Sequence, residues 1–353
     1  MKKILLFLML LFPLNIKALD INTNKYILMD MDTNRVILGE NINEVKSVAS
    51  ISKIMTAILA IESGKLEDKV TIGDEILKSY GSGIYIQIGE ELTLRDLVYG
   101  LMLRSGNDAA LMIANFISGS EEEFAKKMNE KAKEIGMKNS LFNNSSGLDN
   151  IKGNYSTAYD MALLTRYAMK YNVYKEIVAT KSYTLKTNKK TYIWKNKNKL
   201  LNEDYITGGK TGYTEKAKRT LVSTASSDNM NFIVVTIKDS DDWNTHKDLY
   251  EYAFSNYISY RVLNKKIFNV IGDTYYNGNF YIKNDVYLPF KKNELGNLIG
   301  KIQLEKKEKV KNNDKVGEYF IYLDEVLLYK ENIYIKDIKK KKRSILEVMK
   351  GFI

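Results

Sequence analysis

No cysteine occurs in the 353 residues, and His246 is the single histidine. Without cysteine there is no disulfide framework, no thiol nucleophile and no zinc–thiolate site. With one histidine, His-rich metal centres are excluded and a Ser-His-Asp triad has little room. No metal and no cofactor is expected. Internal repeats are also missing. Acidic residues fall short of basic ones, 43 against 54, leaving a net charge of +11. A surplus of that size suits an anionic partner.

The two ends of the chain narrow that partner. MKKILLFLMLLFPLNIKALD places Lys2 and Lys3 before the apolar run 4–12, then Pro13, then Ile16-x-Ala18. This predicts a signal peptide over 1–18, with an uncleaved anchor as the alternative. With no cysteine following, lipoprotein processing is excluded. The mature protein is expected to start near Leu19 and to work at the outer face of the cytoplasmic membrane or in the envelope. Anionic lipid or wall polymer then fits the charge better than nucleic acid. Residues 336–350, KDIKKKKRSILEVMK, hold seven basic and two acidic residues. Beyond the lysines, Ile345, Leu346, Met349, Phe352 and Ile353 share one helical face. The basic amphipathic tail 336–353 is expected to anchor the protein to an anionic membrane surface, a solvated tail being the alternative.

Between the ends, KYILMDMDTNRVILGEN predicts a hairpin at 25–39. Apolar periodicity predicts helices over 48–60, 92–104, 108–117, 120–135 and 157–169, with a polar loop at 143–154. From residue 180 the pattern turns to strands: SYTLKT, TYIWKN, a run into GGKTG, then TLVSTA and FIVVTI paired across SSDNMN. A helix at 243–257 follows. Hairpin, helices, strands and helix in that order predict an α+β domain over 19–258 with a helical insertion. Short Tyr- and Val-rich runs then predict a small β domain over 259–335.

Within the first helix, VASISKIMTAILA is apolar almost all round, yet it carries Ser50 and Lys53. A buried lysine is expensive unless something nearby needs it. Three residues apart on a helix, the two side chains share a face. A serine hydroxyl becomes a nucleophile when a base takes its proton, and a buried lysine can be that base once its pKa falls. The Ser50 backbone N–H, at a helix start, is a candidate oxyanion donor. This is the single S-x-x-K in the chain; a structural serine beside a snorkelling lysine remains the alternative.

Two further stretches supply what that pair lacks. In RSGNDAA, Ser105 and Asn107 fall between two apolar helices, where a hydroxyl and an amide can relay a proton and hold a substrate amide; a plain helix cap is the alternative. In TGGKTGYTEKAKRTLV, Lys210 and Thr211 lie on a strand, and Gly208, Gly209 and Gly212 permit close approach. A substrate backbone can add to that edge, with Lys210 and Thr211 facing its carboxylate and the Tyr213 N–H as second oxyanion donor. A phosphate loop is excluded, because Asp204 stands where that motif needs glycine.

The ordered set SISK (50–53), SGN (105–107) and KTG (210–212), with MLRSGNDAA, NYSTAYDMALL and GGKTGYTEKAKRTLV around it, resembles the serine penicillin-recognising enzymes. Within them it looks most like the low-molecular-mass D-alanyl-D-alanine carboxypeptidases. The resemblance covers 20–258 well and the C-terminal β region loosely. A second candidate string, Ser227-Asp228-Asn229, follows KTG and reads as a turn. Relatives often have Asn-Pro-His-Gly-Leu where this chain has Asn144-Ser145-Ser146-Gly147-Leu148, so that loop is given no catalytic role.

The resemblance implies a penicillin-binding, β-lactamase-like transpeptidase domain, an antiparallel sheet with a helical subdomain. It implies peptidoglycan stem peptides ending in D-Ala-D-Ala as substrate and β-lactams as inhibitors. Ser50 would be the nucleophile, Lys53 its base and Ser105 the relay. Asn107, Lys210, Thr211 and Gly212 would bind substrate, and the N–H groups of Ser50 and Tyr213 would form the oxyanion hole. No Glu-x-x-Leu-Asn string lies between SGN and KTG, which argues against a β-lactamase. An endopeptidase on cross-links and a catalytically silent wall-binding protein are the other readings. His246 is expected to pack or to lie at the surface, and Lys216, Lys218 and Arg219 either steer an anion or decorate the exterior.

Overall fold

The computed structural model describes residues 19–337 apart from 20, 150, 151, 272, 274 and 277. The expected signal peptide and nearly all of the expected tail lie outside these residues. Five antiparallel strands form the central sheet, in the order Val36–Glu40, Tyr26–Asp30, Met230–Ile237, Lys218–Ser227, Ile206–Thr214. The first hairpin therefore pairs with the last strand of the domain, Tyr26 opposite Thr236 and Asp30 opposite Phe232.

Both faces of this sheet are apolar, and the period-two alternation sorts them. Leu28, Leu221, Phe232 and Val234 meet Leu249, Tyr250 and Ala253 of the C-terminal helix Asp242–Asn256. Ile27, Met29, Val222, Ile233 and Val235 face a block of six helices: α1 (Lys53–Glu62), α2 (Leu94–Tyr99), α3 (Asn107–Ser118), α4 (Glu121–Ile135), α5 (Ala158–Ala168) and α6 (Asn172–Ala179). Their ends follow local chemistry. Thr93 and Asp96 close a capping box on α2, Ser120 and Thr157 cap α4 and α5, and α4 stops at Gly136 with φ +92°.

Two helical expectations change in detail. The segment 48–60 begins with a 3-10 turn, Ala49–Ser52, before α1. The segment 92–104 winds as α only to Tyr99 and continues as a π turn, Gly100–Arg104, ended by Ser105 in the left-handed region at φ 63°. Helix α6 was not expected, because NVYKEIVA is one short polar-rich run whose buried side, Tyr174, Ile177 and Val178, is too brief to show a period.

After residue 257 the chain is β, as the fold class predicts. Ile258–Leu263 pairs with Val286–Phe290, and a four-stranded sheet runs Asn279–Tyr281, Val326–Lys336, Lys315–Leu323, Leu298–Leu304. Leu288, Phe290, Ile321 and Leu323 fill its interior. It joins the first unit through a forked ion pair between Arg35 and Glu294, with Lys291 set over the rings of Tyr252 and Tyr257. Among the described residues no helix is long and apolar enough to cross a membrane.

Candidate active site

Ser50 sits in the 3-10 turn where the sheet meets the helical block. In that tighter winding, positions i and i+3 eclipse instead of merely sharing a face. Lys53 therefore stands directly over Ser50, and its Nζ donates to Ser50 Oγ at 3.0 Å. The turn is held from three sides. Ala49, just before the nucleophile, is in the left-handed region at φ 49°, an uncommon conformation for a residue with a Cβ. The Ser52 hydroxyl donates to Ala49 O at 2.8 Å and accepts from Asn154 Nδ2 at 3.0 Å. The Thr220 hydroxyl donates to Val48 O at 3.1 Å.

Two glycines let other segments close on this turn. A Cβ on Gly212 would lie 2.4 Å from Thr220 Oγ1 and 3.0 Å from the Ser50 amide nitrogen. The backbone just before Tyr213 thus runs against the nucleophile's own N–H. A Cβ on Gly147 would lie 2.1 Å from Ala49 O, and its φ of +82° is itself a glycine conformation.

Lys53 is fully buried. Its Nζ also donates to Asn107 Oδ1 at 2.7 Å and, in a short contact, to the carbonyl of Ser146. Burial pulls its pKa down to about 7, helped by the nearby charge of Lys197 and opposed by Asp108 and Glu121. A large fraction of the amine is therefore neutral near neutral pH, as a base for Ser50 requires. Lys210 is equally buried, and its pKa lies well below the usual lysine value through burial and the repulsion of Lys53 and Lys197.

The second and third motifs meet across the same cleft. Lys210 Nζ donates to Ser105 Oγ at 3.0 Å and to Thr211 O at 2.7 Å. Asn107 begins α3; its N–H donates to Ser82 O at 2.7 Å and its side-chain amide to Tyr80 O at 2.6 Å. Ser50, Lys53, Ser105, Asn107, Lys210, Thr211 and Gly212 thus come together from three separate stretches of chain. Lys210 and Thr211 lie on strand Ile206–Thr214, opposite Val222 and Leu221. That strand ends the sheet, so its other side is open to an added chain.

The sequence reading missed two contributors. The loop at 144–148, given no role, presents the Ser146 carbonyl to Lys53; a backbone acceptor leaves no mark in side-chain identity. Lys197 brings a third cation to the lysine pair, and its Nζ reaches Ser82 Oγ at 3.3 Å. Only tertiary adjacency reveals it. His246 lies apart from the cleft, buried between Ser223 (2.6 Å) and Thr236 (3.1 Å), with burial holding its pKa at about 3. Asp228 and Asn229 occupy the left-handed region in the turn between two strands. Lys218 pairs with Glu215 and Arg219 with Asp242, while Lys216 reaches the Tyr155 hydroxyl. All three cations are thereby engaged at the surface.

Comparison with known proteins shows what the chain is similar to. Residues 14–241 match the family model described as D-alanyl-D-alanine carboxypeptidase, and 274–341 match the C-terminal domain of penicillin-binding protein 5. The D-alanyl-D-alanine carboxypeptidase DacF of Bacillus subtilis is 39% identical over 241 residues, 65% of this chain and 62% of that protein. For DacA of Escherichia coli the identity is 33%, covering 62% of this chain and 58% of the relative. The chain thus spans about three fifths of the length of these curated relatives. Among solved structures, penicillin-binding protein 5 from Haemophilus influenzae is 25% identical with a TM-score of 0.72, over 90% of this chain and 98% of that one. A D-alanyl-D-alanine carboxypeptidase from Mycobacterium tuberculosis is 27% identical with a TM-score of 0.64, covering 67% and 92%.

Proposed function

The chain belongs to the D-alanyl-D-alanine carboxypeptidase family, and from that premise we propose that it removes the terminal D-alanine from peptidoglycan stem pentapeptides through an acyl-enzyme on Ser50. The observation that carries this reading is the buried Lys53 amine, 3.0 Å from the Ser50 hydroxyl with a pKa of about 7.

In this reading neutral Lys53 takes the Ser50 proton as Oγ attacks the carbonyl between the two D-alanines. The N–H groups of Ser50 and Tyr213 hold the oxyanion. Lys210 and Thr211 hold the terminal carboxylate, and Asn107 the peptide amide. As the C–N bond breaks, the proton reaches the leaving amine through the Ser105 hydroxyl, which Lys210 orients. Water then attacks the ester, and Ser50 Oγ recovers its proton. A β-lactam presents a strained amide to the same oxygen and acylates it.

Ser50→Ala is expected to abolish both D-alanine release from diacetyl-Lys-D-Ala-D-Ala and covalent labelling by fluorescent penicillin. Persistent labelling would remove Ser50 as nucleophile. Free D-alanine from this peptide, with cross-linked muropeptides left intact, distinguishes a carboxypeptidase from an endopeptidase.

The same reading places the protein outside the cytoplasmic membrane, exported by residues 1–18 and held to anionic lipid by 336–353. Removing 336–353 is expected to release the mature protein from anionic liposomes with unchanged turnover of the soluble peptide. Undiminished liposome binding would end the anchor proposal.

A further inference from the structure

Asp149, in the loop that follows Ser146, reaches two other segments of the cleft at once. Its Oδ1 accepts the Ser47 hydroxyl at 2.7 Å, and its Oδ2 accepts the Thr214 hydroxyl in a short contact. Ser47 ends the short strand Lys46–Ser47, just before the turn that carries the nucleophile. Thr214 ends the strand Ile206–Thr214 and directly follows Tyr213. One carboxylate thus holds a hydroxyl close in the chain to each oxyanion donor, the N–H of Ser50 and the N–H of Tyr213.

The surroundings fix Asp149 in that place. The loop folds back on it, and a Cβ on Gly153 would lie 2.3 Å from Asp149 Oδ1 and 3.3 Å from its Cα. On one side of it Gly147 packs against Ala49 O; on the other, Asn154 O accepts the Val48 N–H at 3.2 Å. Thr214 Oγ1 also accepts the Ala217 N–H at 3.1 Å, so its own proton is directed to Asp149. A carboxylate accepts at both oxygens, whereas an amide would turn a donor towards one of the two hydroxyls. Lys53, Asn107 and Lys210 are oriented by other groups, among them Ser50, Ser105, Ser146 and Tyr80.

We propose that Asp149 is a positioning residue that sets the spacing between the Ser50 and Tyr213 N–H groups, and so the fit of the oxyanion hole to the tetrahedral intermediate. The proposal rests on the carboxypeptidase reading and adds a residue to its machinery. Removing an oxyanion donor outright costs about 10²–10³ in rate, and a misplaced one costs less.

Stopped-flow acylation by fluorescent penicillin separates initial binding, K, from the bond-forming step, k2. Asp149→Ala, Ser47→Ala and Thr214→Val are each expected to lower k2 about 10–100-fold. K should stay within about twofold of wild type, the mark of an interaction made only in the transition state. Thr214→Ser keeps the hydroxyl and should keep the wild-type k2. Asp149→Ala combined with Thr214→Val should match Asp149→Ala alone, because both break one link. The pH midpoint of k2 should stay at about 7, since Lys53 retains its partners. The rate is read per labelled serine, so a variant that only folds less well loses amplitude and keeps k2. Ser47→Ala and Thr214→Val leave the carboxylate in place and test the same link if Asp149→Ala does not fold. Wild-type k2 in any of the three, or a pH midpoint that moves with the loss, would overturn the positioning role and leave the carboxypeptidase standing. A wild type that neither labels nor releases D-alanine would overturn both.

Discussion

Lys53 and Lys210 are two ammonium-forming groups buried in one cleft; burial lowers both pKa values, Lys197 adds to both shifts, and the charge of Lys53 further disfavours a proton on Lys210. The amine beside Ser50 is active when neutral, so penicillin acylation is expected to rise with pH below about 7 and to level off above it. A flat profile across that range, followed by stopped-flow fluorescence, would contradict the lysine-base account. Lys53→Met should keep the circular dichroism of the wild type while slowing acylation by about 10²–10⁴. Motif spacing made Ser50, Lys53, Ser105, Asn107 and Lys210 legible, because their chemistry resides in side chains. The Ser146 carbonyl and Lys197 were not legible. One is a backbone atom common to every residue, and the other is an ordinary surface lysine until folding sets it beside the pair.

The 3-10 turn Ala49–Ser52 shows what periodicity misses at the level of an element. Apolar spacing over 48–60 reads equally well as α or 3-10 at its first turn, since the two differ by a fraction of a residue per turn. What selects the tighter winding is packing from distant segments, Gly147 and Gly212 above all. Gly147→Ala combines a left-handed φ, about 1–2 kcal/mol for a residue with a Cβ, with a clash against a carbonyl that cannot rotate aside. The expected outcome is a lowered melting temperature and a loss of penicillin labelling in the fraction that remains folded. Unchanged labelling would mean the turn is held by its own hydrogen bonds alone. The strands and longer helices were legible because caps and alternation agreed with burial. Helix α6 was not, being too short to average over.

Across the folded chain, the buried histidine sets an acid limit. His246 titrates near 3 when folded and near 6.5 when free. Between those values the unfolded chain binds the extra proton, so stability falls as pH drops, by up to about 1.4 kcal/mol per pH unit from this group. Asp30, raised to about 7 by burial, acts with the opposite sign over its own window, since there the folded chain holds the extra proton. Comparing His246→Gln with the wild type isolates the first effect. The variant's melting temperature should fall less steeply between pH 6 and pH 4, and parallel slopes would show that His246 does not govern acid sensitivity.

The sheet order carries a consequence for timing. Tyr26–Asp30 has as its inner neighbour Met230–Ile237, and the KTG strand reaches that neighbour only through Lys218–Ser227. The sheet that carries the KTG strand is complete only when residues 26–237 are all present, because its first hairpin pairs with its last-formed strand. A growing chain therefore carries Ser50 early, before the sheet that supports the KTG strand can close, and reactivity is expected to arrive late. Labelling by a fluorescent β-lactam is thus a gauge of how many molecules have finished folding, as well as of how many carry the serine.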